Sequence, residues 1–217
     1  MDKTLSIALH NALHHYFGYE CFRVGQEEII TEIINKKPVL AVLPTGAGKS
    51  LCFQLPSLLM EGITLVISPL ISLMKDQAEA LQERGIGAAY LDSSLTNNAY
   101  GKILYDTLNG RIKFLYVAPE RLANQQFVAF AKRANITLVA VDEAHCVSQW
   151  GHSFRKDYYN IPDFIELLPR CPLVAAFTAT ATEEVREDIL QRLKIYGAKV
   201  VVSGFDRPNL NFKVQRT

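Results

Sequence analysis

VLAVLPTGAGKS, residues 39–50, is the stretch of the sequence that decides the fold. Residues 39–43 are all apolar and predict a buried strand, because a strand covered on both faces reads as a continuous hydrophobic run. A turn of small residues follows, and a helical pattern then runs from Lys49 to Leu59. A strand that passes through a glycine-containing turn directly into a helix is typical of α/β proteins.

The same alternation of strand and helix continues along the chain. Apolar runs predict further strands at residues 64–67, 88–91, 114–117, 138–141, 174–177 and 199–202. Helical patterns lie at residues 70–84, 98–108, 120–133, 161–168 and 182–193, and two more helices precede the first strand. The sequence therefore predicts an α/β fold with a doubly wound, mostly parallel sheet of about seven strands, and ligands at the carboxyl ends of the strands. We expect one domain over residues 1–204, with residues 205–217 outside any βα unit.

Composition excludes several classes of protein. The 217 residues are 49% hydrophobic and 21% charged, as in an ordinary globular domain. With 23 Lys and Arg against 22 Asp and Glu, the net charge is +1, so any site for a polyanion must be local. The four cysteines form no Cys-x-x-Cys pair, which argues against a zinc site and a disulfide framework. No apolar run reaches the ~18 residues that span a bilayer, and we expect a cytoplasmic protein with no membrane partner.

The turn after the first strand predicts a phosphate-binding loop. Small residues let backbone N–H groups approach phosphate oxygens, and the start of a helix adds positive potential. Lys49 can reach the β- and γ-phosphates, and the Ser50 hydroxyl can bind Mg²⁺. The usual pattern has glycine where this chain has Leu43, and the alternative is a simple glycine-containing turn before a lysine. The loop residues are Thr45, Gly46, Ala47, Gly48, Lys49 and Ser50.

An acidic pair follows the fifth predicted strand in the sequence VDEAH, residues 141–145. Asp142 at the end of an apolar strand can bind Mg²⁺, and Glu143 can orient and deprotonate the water that attacks the γ-phosphorus. The alternative is that the pair caps the next helix. Together with Lys49 and Ser50, the pair predicts a site for ATP and Mg²⁺, and we expect neighbouring strands to bring the two clusters face to face.

Residues 45–50, residues 142–145 and Thr178-Ala179-Thr180 resemble the first RecA-like lobe of superfamily 2 helicases, and more closely that of the RecQ family of DNA helicases. The resemblance covers nearly the whole chain. It implies a RecA-like P-loop fold and an ATP-dependent 3′ to 5′ DNA helicase of recombination and repair. The implied cofactors are ATP and Mg²⁺, and the implied partners are single-stranded and duplex-junction DNA. It also implies a monomer, associated with the nucleoid if the source is bacterial.

The resemblance assigns roles at the nucleotide site. Lys49, Asp142, Glu143 and His145 are the implied catalytic group, and the metal falls to Ser50 and Asp142. Upstream of the loop, Tyr19, Arg23 and Gln26 are similar to the family's adenine-reading element, with the Gln amide on the base edge and the other two side chains stacking. The alternative for these three residues is a helix cap with packing aromatics.

The resemblance also implies a DNA face. Residues 146–155 follow the acidic pair and are similar to the aromatic-rich loop of the RecQ family, which suits stacking of single-stranded bases. The alternative for Trp150, the only tryptophan, is a position in the core. The alternative for Arg121 is an ion pair on the surface. The family usually has Asp at Ser153 and Pro at Lys156. The implied DNA contacts are Ser68, Lys75, Arg121, Trp150, Phe154 and Arg155.

Thr178 and Thr180, with His145, occupy the positions at which the family couples the γ-phosphate site to DNA. The alternative is that the threonines cap the following helix. Helicases of this superfamily hydrolyse ATP between two RecA-like lobes, and the second lobe supplies an arginine finger worth ~10³ to 10⁵ in rate. Residues 205–210 resemble the junction to that lobe, so we expect a fragment that is nearly inactive alone.

Two other functions stay open from the residues themselves. One is a stand-alone nucleotide- or DNA-binding regulatory module without helicase activity. The other is an unrelated phosphate-loop transferase or small NTPase, which explains Lys49 and Asp142 but gives no role to Trp150.

Overall fold

Seven parallel strands form the single sheet of the computed structural model, which describes residues 3–150 and 154–203. The sheet has the order β3-β4-β2-β5-β6-β1-β7, and each pair of neighbours is parallel. Every predicted strand is present, and the predicted fold class is confirmed. The strands are β1 (Val39–Val42), β2 (Ile63–Ile67), β3 (Ala88–Leu91), β4 (Phe114–Val117), β5 (Ile136–Val141), β6 (Leu173–Thr178) and β7 (Lys199–Val202).

Helices cover both faces of the sheet. Alternate residues of β1 point to opposite faces, so that Val39 and Ala41 lie in one buried apolar cluster and Leu40 and Val42 in the other. The first cluster includes residues of α1–α4 and the second includes residues of α5–α8. The helices are α1 (Lys3–Phe17), α2 (Gln26–Ile34), α3 (Lys49–Leu59), α4 (Ile71–Gln82), α5 (Asn97–Leu108), α6 (Gln125–Ala131), α7 (Asn160–Glu166) and α8 (Glu183–Arg192).

The segment at residues 120–133 differs from its predicted single helix. A short 3-10 helix covers Pro119–Ala123 and α6 begins after Asn124. Asn124 is extended, and its side-chain oxygen accepts a hydrogen bond from the Phe127 N–H at 3.0 Å. This is an N-cap, which starts a new helix and thereby separates the two segments.

The strand order corrects the expectation that the two predicted clusters lie on neighbouring strands. β6 separates β1, which precedes the phosphate-loop residues, from β5, which precedes the acidic pair. All strands are parallel, so both clusters still follow strands at the same edge of the sheet. The register pairs Ile67 with Val141, and this places Ser68 beside Asp142.

The predicted domain boundary at residue 204 and the segment 205–217 lie outside the described residues. Among the helices that are described, none is both long and apolar enough to cross a membrane.

Candidate functional site

The predicted phosphate loop connects the carboxyl end of β1 to the start of α3. Gly46 and Gly48 have φ angles of 82° and 81°, in the left-handed region that favours glycine. Gly48 has a second constraint, because a Cβ built on it would lie 2.5 Å from Nε2 of Gln26. Backbone conformation therefore favours glycine at the position just before Lys49, and a side chain there would displace the Gln26 amide.

Leu43, where the chain departs from the usual loop pattern, contributes its backbone to this site. Its side chain is fully buried in the apolar cluster beneath α1–α4. Its N–H donates to the Thr178 carbonyl at 3.0 Å, and its carbonyl accepts from Nζ of Lys49 at 3.2 Å. Leucine at position 43 thus places its side chain in the core and does not fill the phosphate loop.

Tyr19, Arg23 and Gln26 lie beside the loop. Gln26 is 2% exposed, and its Nε2 donates to the carbonyls of Ala47 and Gly48 at 3.0 and 3.2 Å. Its Oε1 accepts from the Arg23 N–H at 2.8 Å, and the Arg23 guanidinium donates to the carbonyl of Gly46. Gln26 therefore holds the phosphate loop through the same side-chain amide that is predicted to bind the adenine edge. The adenine role stays a prediction.

A cleft of about 310 Å³ opens between these residues, the start of α3 and helix α4. Tyr19, which is 51% exposed, Arg23 and Ser50 contribute to its walls. Its volume is at the small end of the ~300–1,000 Å³ range of ligand pockets. The cleft is therefore suited to part of a nucleotide rather than to the whole molecule.

Asp142 is buried and hydrogen-bonded on every side. Its Oδ2 accepts from the Ser68 hydroxyl at 3.2 Å, its Oδ1 from the Glu143 N–H at 3.0 Å, and its carbonyl from the Tyr158 hydroxyl at 2.9 Å. Burial, and then the neighbouring Glu143 carboxylate, raise the pKa of Asp142. Ser68 is 1% exposed and its hydroxyl orients the Asp142 carboxylate, so its contact with DNA stays a prediction that requires this hydrogen bond to be exchanged.

Glu143, His145 and Thr178 form a connected polar chain. Oε2 of Glu143 lies 3.2 Å from Nδ1 of His145, which lies 2.9 Å from the Thr178 hydroxyl. That hydroxyl donates to the Thr180 carbonyl at 3.1 Å. The Cys146 sulfur and then the Glu143 carboxylate raise the pKa of His145 to about 9, and the hydrogen bond to His145 lowers the pKa of Glu143. At neutral pH the pair is therefore an imidazolium and a carboxylate.

The two predicted clusters lie within electrostatic reach of each other. The Lys49 ammonium lowers the pKa of both Asp142 and Glu143, opposing the effect of burial. This agrees with the topology, in which Lys49 follows β1 and the acidic pair follows β5 at the same carboxyl edge of the sheet.

This site fits a nucleotide-bound magnesium ion. Asp142 is a buried carboxylate whose pKa is raised, and Lys49 offsets only part of the effect of burial, so a divalent cation would stabilise its ionised form. Within residues 3–150 and 154–203, no group of three or more His, Cys, Asp and Glu side chains could hold a metal ion. Mg²⁺ is typically bound by one or two carboxylates together with substrate phosphates, which matches a site containing Asp142 and the Ser50 hydroxyl.

The predicted DNA loop is only partly exposed where the structure describes it. Cys146, Val147 and Ser148 are buried, whereas Trp150 is 79% exposed, which excludes a core position for the tryptophan. Arg155 is exposed and donates to the Pro69 carbonyl at 3.3 Å, while the Phe154 ring packs 5.1 Å from the ring of Tyr159. Ser153 lies outside the described residues, and Lys156 begins a 3-10 turn that covers Lys156–Tyr159.

Lys75 and Arg121 differ in their availability to a ligand. Lys75 is exposed on α4 and lies 3.8 Å from the Glu79 carboxylate. Arg121 is partly buried, with its guanidinium 5.5 Å from the ring centre of Tyr100 and 2.9 Å from the Asp92 carbonyl. Arg121 joins the turn after β4 to the loop after β3, so its DNA contact stays a prediction that requires these contacts to be exchanged.

Sequence reasoning missed Tyr158. Its side chain is fully buried, and its hydroxyl bonds the carbonyl of Asp142 from 16 positions along the chain. No periodicity or motif spacing relates two such residues, because only the tertiary fold brings them together. The one available signal is a polar-tipped aromatic in a segment that follows the predicted DNA loop.

A family model described as DEAD/DEAH box helicase matches residues 23–189, which is more than half of the chain. The chain belongs to the DEAD/DEAH box helicase family. Membership of this family implies that the chain uses a nucleotide, in agreement with the loop and the acidic pair described above.

Relatives within this family confirm the resemblance to RecQ helicases. The chain is 49% identical over 210 residues to the ATP-dependent DNA helicase RecQ of Bacillus subtilis (strain 168), covering 95% of this chain and 36% of that protein. It is 45% identical over 202 residues to the ATP-dependent DNA helicase RecQ of Pasteurella multocida (strain Pm70), covering 93% and 32%. The chain thus spans about a third of the length of the curated relatives it matches.

Solved helicase structures share the fold at lower identity. The helicase MrfA bound to DNA superimposes with a TM-score of 0.73 at 18% identity, over 93% of this chain and 30% of that one. The Hef helicase domain of Pyrococcus furiosus gives a TM-score of 0.64 at 22% identity, over 83% of this chain and 38% of that one. These likenesses confirm the RecA-like architecture.

Proposed function

We propose that this chain is the ATP-binding lobe of a RecQ-type, ATP-dependent DNA helicase. The observation that carries the proposal is the shared edge of the sheet at which the Lys49 ammonium acts on both Asp142 and Glu143. A cation after one strand and two carboxylates after another are the parts that a phosphoryl-transfer site requires. Trp150, exposed in the segment that follows the acidic pair, supplies a stacking face for single-stranded DNA.

The residues of this edge have separate tasks. Backbone N–H groups of residues 45–50 and the Lys49 ammonium bind the β- and γ-phosphates of ATP. Ser50 and Asp142 hold Mg²⁺, which when bound neutralises the charge that develops on the transferred phosphoryl group. Glu143 is anionic at neutral pH, since its pKa is lowered, and its carboxylate orients the attacking water and accepts its proton.

The base of the nucleotide is proposed to enter the cleft lined by Tyr19 and Arg23. The exposed Tyr19 ring and the Arg23 guanidinium offer two stacking planes. Gln26 reaches an adenine edge only by exchanging its contacts with the Ala47 and Gly48 carbonyls, so base binding and the shape of the phosphate loop are linked.

The DNA face is proposed to comprise Trp150, Phe154 and Arg155, with Lys75 as a phosphate contact. His145 connects this region to the nucleotide through Glu143 on one side and the Thr178 hydroxyl on the other. This chain of contacts supports a coupling role for Thr178 and Thr180. A movement at either end of this series of contacts changes one of its hydrogen bonds rather than an independent surface contact.

Features of the whole helicase rest on the RecQ resemblance. These are 3′ to 5′ unwinding in recombination and repair, action as a monomer on single-stranded and duplex-junction DNA, and location in the cytoplasm or nucleoid. A second RecA-like lobe is proposed to complete the ATP site with an arginine finger. Without it, we expect the isolated chain to be nearly inactive as an ATPase, because such a residue is worth ~10³ to 10⁵ in rate.

Unwinding by the full-length gene product tests the proposal. We expect it to unwind a DNA duplex with a 3′ single-stranded tail when Mg²⁺ and ATP are present, and to leave a 5′-tailed duplex paired. A preference for RNA duplexes would assign the protein to another branch of the family. Binding of ATP and DNA without unwinding would favour a regulatory module instead.

Trp150→Ala tests the DNA face separately. Stacking of a base on an aromatic ring is worth ~1–3 kcal/mol, so affinity for single-stranded DNA should fall about 5- to 150-fold while ATP affinity is unchanged. Fluorescence anisotropy with a labelled oligonucleotide measures the change. Tyr196→Ala is the matched control, because Tyr196 is 73% exposed and distant in sequence from the proposed face. Equal losses in the two variants would remove Trp150 from the DNA site.

A further inference from the structure

The peptide unit between Asp142 and Glu143 is held at both of its polar atoms. The Asp142 carbonyl accepts from the Tyr158 hydroxyl at 2.9 Å, and the Glu143 N–H donates to Oδ1 of Asp142 at 3.0 Å. Glu143 has a φ angle of 47°, in the left-handed region that non-glycine residues rarely adopt. A residue keeps such a conformation only where its surroundings over-determine it, and these two hydrogen bonds do so here.

Orientation of this peptide decides where the Glu143 side chain points. A rotation of the peptide changes φ of Glu143 and with it the direction of the bond from Cα to Cβ. The carboxylate beyond that bond is the group that lies 3.2 Å from His145 and within electrostatic reach of Lys49. A hydroxyl that fixes the Asp142 carbonyl therefore acts on the position of the Glu143 carboxylate.

Tyr158 is well suited to hold this carbonyl. Its side chain is fully buried, and burial raises the pKa of its hydroxyl well above the ordinary value, so that it remains a proton donor. It belongs to the Lys156–Tyr159 turn, directly after the proposed DNA loop, and the Arg155 N–H fastens that segment to the Cys146 carbonyl at 3.0 Å. The side chain thus connects the end of the DNA loop to the acidic pair.

We propose that Tyr158 is a positioning residue for the hydrolysis of ATP: its hydroxyl fixes the peptide that directs the Glu143 carboxylate. The inference rests on the proposed function and adds a residue that does not touch the nucleotide itself. Through this hydrogen bond, the segment after the DNA loop contacts the backbone of the acidic pair directly. The contact is separate from the path through His145 and Thr178.

Tyr158→Phe in the full-length gene product tests the inference, because this change removes the hydroxyl and keeps the ring. We expect kcat for DNA-stimulated ATP hydrolysis to fall roughly 5- to 100-fold, as for a buried carbonyl that loses its donor. KM for ATP and affinity for single-stranded DNA should each stay close to wild type, while the midpoint of thermal unfolding falls by a few degrees because the buried Asp142 carbonyl loses its donor. A role in stability alone would lower the midpoint in the same way and leave kcat unchanged at temperatures well below it.

Tyr159→Phe is the matched control. The Tyr159 hydroxyl is buried, and within the described residues it has no hydrogen-bond partner, so its removal should leave kcat unchanged. Its ring contacts with Phe154 and Arg192 are retained in the phenylalanine variant. If the wild-type protein hydrolyses ATP in response to DNA and both variants match it, the role of Tyr158 is refuted and the proposed function stands. A wild-type protein with no such activity would overturn both.

Discussion

The phosphate loop and the acidic turn lie at the same edge of the sheet, but they are held in different ways. The loop is held from outside, by Gln26 and Arg23, which reach across from the segment before β1 to its carbonyls. The acidic turn is held from within the sheet edge by two buried side chains, Ser68, which follows β2, and Tyr158, which lies in the segment between β5 and β6.

This difference assigns nucleotide binding mainly to the phosphate loop and catalysis mainly to the acidic turn. The contacts on the loop come from residues that also line the proposed nucleotide cleft, so a nucleotide competes for them. The contacts on Asp142 are buried and come from residues outside that cleft, so the base of a nucleotide does not compete for them. The acidic turn is therefore pre-organised, and the loop has to exchange contacts with its ligand. Electrostatic pre-organisation is where most catalytic stabilisation arises.

The largest expected effect comes from Glu143→Gln in the full-length gene product. Loss of the general base should lower kcat for ATP hydrolysis by ~10²- to 10⁴-fold. ATP affinity should be nearly unchanged, because the loop makes the phosphate contacts. Single-turnover hydrolysis and equilibrium binding of a fluorescent ATP analogue measure the two quantities. Lys49→Ala is the contrasting control and should lose affinity, and a matching loss of affinity in Glu143→Gln would break the division between the two regions.

These two regions were also unequally accessible to sequence reasoning. The strands, the loop at residues 45–50 and the exposed Trp150 follow from local patterns, namely continuous apolar runs, small residues before a helix and polar neighbours. Contacts of Ser68 and Tyr158 with Asp142 depend on which strands are neighbours and on the path of a loop. No local sequence pattern determines strand order, which is why the sequence does not predict the position of β6 between β1 and β5.

A smaller effect is expected from the pH dependence of the His145 and Glu143 ion pair. The folded-state pKa of His145 is about 9 against an ordinary 6.5, so its stabilisation is fully present below pH 6.5 and is lost as pH rises through about 9. His145→Gln should therefore lower the free energy of unfolding by about 1–2 kcal/mol more at pH 6.5 than at pH 10, after allowance for solvent screening. Urea denaturation of the 217-residue chain at both pH values measures this difference.

His15→Gln is the control for this measurement, because His15 is exposed on α1. The difference between wild type and His145→Gln should shrink at high pH, while the difference for His15→Gln should stay small. A constant difference at both pH values would mean that packing, rather than the imidazolium charge, holds the acidic turn.

Gln26→Ala is expected to have the smallest effect. It tests whether the Gln26 amide chiefly shapes the phosphate loop or reads adenine. Each lost hydrogen bond is worth ~0.5–1.5 kcal/mol, so affinities for ATP and GTP should both fall about 2- to 10-fold if Gln26 chiefly shapes the loop. If its amide reads adenine, ATP affinity should fall and GTP affinity should stay, so the ratio of the two dissociation constants separates the roles. Gln82→Ala is the matched control, since its amide donates to the Ala88 carbonyl at 2.7 Å, outside the cleft. Unchanged affinities for both nucleotides would show that the phosphate loop keeps its shape without Gln26, and the loop would then be as self-sufficient as the acidic turn.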